Sequence, residues 1–313
     1  MDVLSAVLSE LDVRGSVFCY GPVGGSWGLE GGAEGVVLFH ALVEGEAWAT
    51  VGDGPPQRLE SGDVMLLTRG RRHTLGARKG TATVPLRQAV RRDAATPFAR
   101  LALEGTGNEA WLVCGSLVVD GLATHPLLRT LPDVVVANTG AARWLRDTVS
   151  ALARQLSAES PGSALTASRL AEVLFVQAIG AWLQEQDPLQ GWAAATRDPH
   201  VGRALVLLHA DPGQAWTAEG LARAVGVSRS VLFERFSRLL GQPPMRWLAQ
   251  LRMERAATAL ARSGRSIGEV SEAAGYGSVP AFTKAFRRHH GQTPAAWRRA
   301  QRTPEPSRSS ALG

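Results

Sequence analysis

Two short stretches of this sequence carry side chains suited to reading a patterned polar surface. Arg229, Ser230, Phe233 and Glu234 fall in the first, and Val279, Pro280, Thr283 and Lys284 in the second. Helical spacing puts each set on one face, opposite Leu232 and Phe236 in the first stretch and Phe282 and Phe286 in the second. Each set mixes hydrogen-bonding groups with apolar ones. Such mixtures suit the edges of base pairs, where donors and acceptors stand beside the thymine methyl group. Glu234 and Lys284 are the expected discriminators. Arg238, Arg287 and Arg288 lie on or just past the same stretches and can hold phosphate. Thr217 and Ser266 begin shorter helices, whose free backbone N–H groups are also expected at phosphate.

The two stretches are copies of one unit. Thr217, Leu221 and Gly226 recur as Ser266, Val270 and Gly275, at an offset of 49. Ser228, Leu232, Phe236, Gly241, Pro244 and Trp247 recur as Ser278, Phe282, Phe286, Gly291, Pro294 and Trp297, at an offset of 50. One extra residue therefore enters the second turn, Gly275-Tyr276-Gly277. Each copy reads helix, Gly-containing turn, helix, with positions i and i+4 of the second helix apolar. This is helix-turn-helix geometry, whose second helix enters the major groove. Residues 243–263 join the copies as a helix about 30 Å long. That length can set two recognition helices about one turn of B-DNA, ~34 Å, apart.

Charge agrees with a polyanionic partner. Residues 197–302 hold 17 Lys and Arg against 7 Asp and Glu, whereas the remainder holds 17 against 21. A basic C-terminal third on an acidic remainder describes a nucleic-acid-binding domain attached to something else. The chain has 313 residues, of which 45% are apolar, enough for two domains with real cores. No uninterrupted apolar run approaches the ~18 residues of a membrane span. Residues 1–20 lack a basic start followed by an apolar stretch, so no secretory signal is expected. Two cysteines are too few for a disulfide framework or a zinc-finger pattern. A cytoplasmic protein with no membrane partner fits these features.

The N-terminal part reads differently. Residues 35–43, 63–67 and 110–119 are short apolar runs between Gly-rich turns and predict strands of a small barrel. Gly52-Asp53-Gly54-Pro55-Pro56 is a turn. Residues 76–108 are basic and weakly patterned, read partly as a mobile loop with room for a strand near 81–90. Helical periodicity takes over at 141–156 and 163–186, with Pro161-Gly162 between them and Asp187-Pro188 as a stop. Trp144, Leu152, Leu174 and Trp182 on these helices are expected to form a dimer contact. Helices then follow at 199–209, 217–224, 228–240, 243–263, 266–273, 279–289 and 294–301. The fold class is α+β. Residues 1–138 form a sensor domain, 139–190 a helical linker, 191–302 an all-α DNA-binding domain with two helix-turn-helix motifs, and 303–313 a disordered Pro/Ser-rich tail.

The stretches Ala222-Arg223-Ala224-Val225-Gly226-Val227-Ser228, Ala273-Ala274-Gly275-Tyr276-Gly277-Ser278, Ala281-Phe282-Thr283-Lys284-Ala285-Phe286-Arg287-Arg288 and Gly291-Gln292-Thr293-Pro294-Ala295-Ala296-Trp297-Arg298 closely resemble the signature of the AraC/XylS family of transcription regulators. The resemblance covers residues 198–299. It implies a seven-helix domain that meets DNA through 228–240 and 279–289. Residues 62–73, ending in Arg71-Arg72-His73, resemble the second cupin motif, with Thr68 in place of its usual proline. His40 stands near the first motif, where Leu42 replaces the usual second histidine and Glu44 and Glu46 are nominal acidic ligands. A cupin metal centre needs three or four ligands, and His40 and His73 supply two. No metal or other cofactor is therefore expected. Within the family, His40-Ala41-Leu42, Trp111-Leu112-Val113-Cys114-Gly115 and Leu131-Pro132-Asp133 look most like regulators of the response to reactive chlorine species. That resemblance implies sensing by cysteine oxidation, with Cys19 and Cys114 in the corresponding regions. Reactivity needs an exposed thiol of lowered pKa, and the apolar strand around Cys114 argues for an inert one.

These features predict a sequence-specific, non-enzymatic DNA-binding regulator, an activator by family resemblance. Its partners would be double-stranded DNA, RNA polymerase, a second copy of itself, and a small-molecule or oxidant effector met near Cys19, Cys114, His40 and His73. The alternative is a cupin metalloenzyme fused to a DNA-tethering module.

Overall fold

In a computed structural model, described residues run from 2 to 302, except 9, 10, 12, 93–97, 104, 107, 108, 120–127, 129, 130, 139–142, 159 and 187–190. The start of the 141–156 helix, the Asp187-Pro188 stop and the tail lie outside them. The chain divides into two compact units.

The first unit is β-rich. Its strands are β1 (Val13–Val23), β2 (Gly28–Gly31), β3 (Val37–Glu44), β4 (Glu46–Val51), β5 (Gln57–Glu60), β6 (Val64–Leu67), β7 (His73–Gly76), β8 (Val84–Pro85), β9 (Val90–Arg92), β10 (Ala99–Leu101), β11 (Ala110–Val119) and β12 (Val134–Ala137). They form a seven-stranded sheet, β12-β6-β3-β11-β1-β10-β9, and a five-stranded sheet, β5-β4-β7-β2-β8. Apolar side chains from both sheets, including Leu29, Leu42, Leu59, Leu67, Leu75 and Leu112, make one buried core. The expected loop at 76–108 contains β8, a single 3₁₀ turn at Leu86–Gln88, β9 and β10. These strands run two or three residues, too short for an alternating pattern to mark them.

Helices α2 (Arg143–Ala158) and α3 (Ser163–Glu185) belong to this unit. Helix α3 packs on β1, β12 and β6, and α2 packs on α3 and β3. Gly15 permits the closest approach. A Cβ there would stand 2.6 Å from the Ser168 carbonyl oxygen, while the Ser168 hydroxyl donates to the Gly15 carbonyl at 2.6 Å. The residues expected at the dimer contact are corrected here. Leu152 and Leu174 are fully buried inside the unit, so they cannot meet a partner, and Trp182 is half-buried. Trp144 is exposed, and the free side of α3 shows Leu165, Val173 and Val176. By length and composition α3 could cross a bilayer, with a mean hydropathy of 1.3. It carries Arg169 and Glu172, which interrupt the run, and buries Ala167, Ala171, Leu174, Phe175 and Ala178 in the unit.

The second unit is helical. It holds α1 (Val3–Leu8), α4 (Gly191–Arg197), α5 (Pro199–Ala210), α6 (Ala218–Ala224), α7 (Arg229–Leu240), α8 (Pro244–Arg262), α9 (Ile267–Ala273), α10 (Val279–His290) and α11 (Pro294–Arg302). Helix α1 packs on α5 and buries Val3, Ala6, Val7 and Leu8. The repeat is visible in side-chain geometry. Phe236 meets Trp247 at 5.9 Å and 76°, and Phe286 meets Trp297 at 6.0 Å and 76°. These edge-on pairs pin each second helix to the helix after it.

Candidate functional site

Helices α6 and α7 form the first helix-turn-helix, α9 and α10 the second, and α8 is the connector. Side-chain caps set where each begins. Thr217 accepts from the Gly220 N–H at 2.9 Å, and Ser228 from that of Val231 at 3.3 Å. Ser266 and Glu269 form a reciprocal capping box, and Ser278 accepts from Ala281 at 3.4 Å. Helices α7 and α10 both end on a left-handed glycine, Gly241 at φ 72° and Gly291 at φ 74°. Leu232 and Phe236 on α7, and Phe282 and Phe286 on α10, are buried, which fixes the rotation of each helix about its axis.

That rotation presents the expected reading residues outward. Arg229, Ser230, Phe233 and Glu234 are exposed on α7, and Val279, Pro280 and Lys284 on α10, with Thr283 half-buried. Phe233 is 54% exposed, unusual for a large apolar ring without a partner surface. On α10 the set lines a shallow groove together with Arg287, Arg288 and Thr293. Arg287 stands one turn beyond Thr283 and lines the same groove. The Arg229 guanidinium pairs with Glu219 of α6 at 2.7 Å, which ties the two helices of the first motif. Arg238 is exposed near the end of α7. Ser266 differs from its expected role. The Glu269 carboxylate accepts from the Ser266 N–H at 2.6 Å, and those hydrogen bonds lower its pKa. A carboxylate seated at that helix start opposes an approaching phosphate.

The β-rich unit brings its four candidates together. Cys19 on β1 pairs in register with Cys114 on β11, and Cys114 pairs with His40 on β3. His73 comes from β7 in the other sheet. His40 Nδ1 lies 3.1 Å from Cys114 Sγ, and His40 Nε2 lies 2.8 Å from His73 Nε2. His73 Nδ1 is 2.9 Å from the Arg71 carbonyl, which can only accept. The proton of His73 therefore sits on Nδ1 and leaves Nε2 bare. His40 must then donate from Nε2, which leaves its Nδ1 as acceptor for the Cys114 thiol. One backbone carbonyl thus orients the whole chain of hydrogen bonds.

His40, His73 and Cys114 rest neutral. Burial, together with the charge of His73, pushes the His40 pKa well below its ordinary value. Burial also lowers that of His73, against the pull of the Arg71 carbonyl. The hydrogen bond shared with Cys19, burial and the neighbouring Cys19 charge raise the Cys114 thiol well above its usual range. Gly115 makes room beside it, since a Cβ there would stand 2.3 Å from the Phe39 ring and 2.4 Å from the Ser16 carbonyl. Both cysteines are free and buried. Thr68, in place of the cupin proline, is fully buried and donates to the Pro132 carbonyl at 2.6 Å. With the Arg71–Asp133 ion pair it fixes the Leu131-Pro132-Asp133 segment.

A cupin metal does not fit this cluster. Leu42 lies in the apolar core, Glu44 is exposed at the end of β3, and Glu46 pairs with Arg58. The two imidazole nitrogens that remain are hydrogen-bonded to each other.

A cupin-like sandwich joined to a doubled helix-turn-helix defines a class of DNA-binding regulator with an N-terminal sensory fold. Residues 2–184 match the cupin family and residues 221–300 a helix-turn-helix domain family. A putative AraC-like transcription regulator of Streptomyces lividans is 33% identical over 96% of this chain and 98% of its own length. The RCS-specific HTH-type transcriptional activator RclR of Escherichia coli is 26% identical over 95% of this chain and 97% of its own. The DNA-binding domain of AdpA, solved in complex with a target DNA, is 32% identical over 35% of this chain and 98% of that domain, with a TM-score of 0.33. The chain belongs to the AraC-like transcription regulators. It is a DNA-binding regulator with a cupin-like N-terminal domain.

Proposed function

We propose that this regulator activates transcription in response to an oxidant or small molecule sensed in the cupin-like unit. The register pairing of Cys19 with Cys114 carries this reading; both thiols are buried and that of Cys114 is raised in pKa, so the oxidant must be small and strong enough to attack a protonated thiol. Residues directly opposite in an antiparallel pair have Cα atoms about 4.5–5.5 Å apart, inside the roughly 4.4–6.8 Å span of a disulfide. Hypochlorous acid would convert one thiol to a sulfenyl chloride and release water. The second thiol would then displace chloride, forming the S–S bond and releasing a proton. The two steps together remove both thiol protons, including the one Cys114 gives to His40. The change reaches β1, on which α3 packs.

On DNA, Arg229, Ser230, Phe233 and Glu234 read one major-groove segment, and Val279, Pro280, Thr283 and Lys284 the next. Arg238, Arg287, Arg288 and the start of α6 at Thr217 hold phosphates. The protein acts in the cytoplasm with RNA polymerase, as a homodimer joined through Trp144, Leu165, Val173 and Val176. It performs no catalysis of its own. The test is a reporter assay from the cognate promoter, with and without hypochlorite, for wild type, Cys19→Ala and Cys114→Ala. Loss of the response in either variant supports the reading. A wild-type response in both rejects cysteine sensing and moves the effector to the pocket beside His40 and His73.

A further inference from the structure

Where the connector α8 meets the end of the second recognition helix, three metal-ligating side chains converge. Glu254 lies on α8, and His289 and His290 are the last two residues of α10. One ligand atom from each lies within 4.8 Å of the others, the one such group of three among the described residues. His289 Nε2 is 2.6 Å from Glu254 Oε1, with side chains only 23% and 13% exposed. The neighbouring imidazole is held more firmly still. His290 donates from Nε2 to the Met253 carbonyl at 3.2 Å, and its ring stands 4.5 Å from Phe286 and 4.8 Å from Trp297. The rings of the two histidines are 4.6 Å apart and nearly perpendicular.

We propose that Glu254, His289 and His290 form a site for a zinc-like divalent cation that clamps the second recognition helix to the connector. Two imidazoles and one carboxylate are a known zinc donor set, with bonds of about 2.0–2.2 Å and a fourth position for water. Tetrahedral bonds of that length put donor atoms about 3.3 Å apart. The Glu254–His289 pair opens slightly and the widest separation closes slightly, within the reach of side-chain rotation. The Met253 carbonyl supplies the outer hydrogen bond that ligating imidazoles ordinarily make, and it leaves Nδ1 of His290 with the free lone pair. The ion would also sit at the C-terminal end of α10, where the helix dipole favours positive charge. Arg287 and Arg288 on the same turn oppose it, which makes the site weaker than a zinc finger. The clamp would act on DNA affinity without contacting DNA.

The test uses the full chain, stripped with a chelator and titrated with zinc chloride against a competing chromophoric chelator. Wild type should take up one equivalent. His289→Ala and Glu254→Gln should each lose it, while His73→Ala should keep it. Cobalt(II) added to wild type should give the visible band of a four-coordinate ion, a readout that does not depend on a variant folding. Zinc should raise the unfolding temperature of wild type and leave that of Glu254→Gln unmoved. Uptake retained in both clamp variants, uptake lost in His73→Ala instead, or no uptake by wild type would each overturn the assignment.

Discussion

His73 shows how far one residue can act. Its Nδ1–H on the Arg71 carbonyl sets the tautomer of His40 and so the direction of the Cys114 hydrogen bond. The cost falls on acid stability. Both imidazoles titrate near 6.5 when unfolded and lower when folded. The unfolded chain therefore binds more protons below about pH 6.5, so their stability contribution is full above that value and is lost as pH falls toward the folded-state values. Thermal unfolding between about pH 7.5 and about pH 5.5 should show a falling midpoint, with a shallower fall in His73→Gln. An equal slope in that variant would contradict the account. His290, also lowered by burial, adds to both slopes and cancels in the comparison. The four residues of this cluster could be named from the sequence, but their convergence could not. They lie on strands far apart in the chain, and a register shift between Val17 and Cys19 sets the pairing of β1. Bulges leave no periodic trace. The outward faces of α7 and α10 were easier, because two buried positions one turn apart fix a helix face. Glu234→Ala and Lys284→Ala should each alter base preference in a selection from random DNA, by ~1–3 kcal/mol for each lost contact. Unchanged selections would remove both from the reading set.

Among the elements, helices with side-chain caps were legible and short strands were not. Thr217, Ser228 and Ser266 all cap their helices, whereas β8, β9 and β10 are too short to show alternation. Ser266→Ala removes one capping bond and should cost ~1 kcal/mol, measured as a lower denaturation midpoint. A midpoint equal to wild type would mean that the box contributes nothing. In β11 the sensitive position is Gly115, where a methyl group collides with the Phe39 ring and with backbone. Gly115→Ala should destabilise the cupin-like unit by about 1–3 kcal/mol, and an unaltered urea midpoint would be the contrary result. Helices α2 and α3 were recognised as helices, yet periodicity reveals an apolar face without saying what covers it. The sheet covers most of it, and only Trp144, Leu165, Val173 and Val176 remain for a second copy. Sedimentation of the full chain should give a dimer that Val173→Asp dissociates. A monomer in wild type, or a dimer in both, would reject that surface.

For the whole molecule, the decisive signal was repetition. Matched Gly, Phe, Pro and Trp positions at offsets of 49 and 50 fix two copies of one motif. Their ring pairs, at 5.9 and 6.0 Å with the same 76° angle, are that repetition in space. The 19-residue connector α8 spans about 28 Å at 1.5 Å per residue, close to one turn of B-DNA. Arg287→Ala should also weaken every site alike and flatten the salt dependence by roughly 0.9 log-log units per lost phosphate contact. The central claim is that one chain reads two successive major grooves, one with each motif. Methylation-interference footprinting on a DNA selected from a random pool tests it most directly. Two protected major-groove segments about one helical turn apart are predicted, with Glu234→Ala disturbing only one segment and Lys284→Ala only the other. A single continuous segment, or the same segment disturbed by both variants, would contradict it.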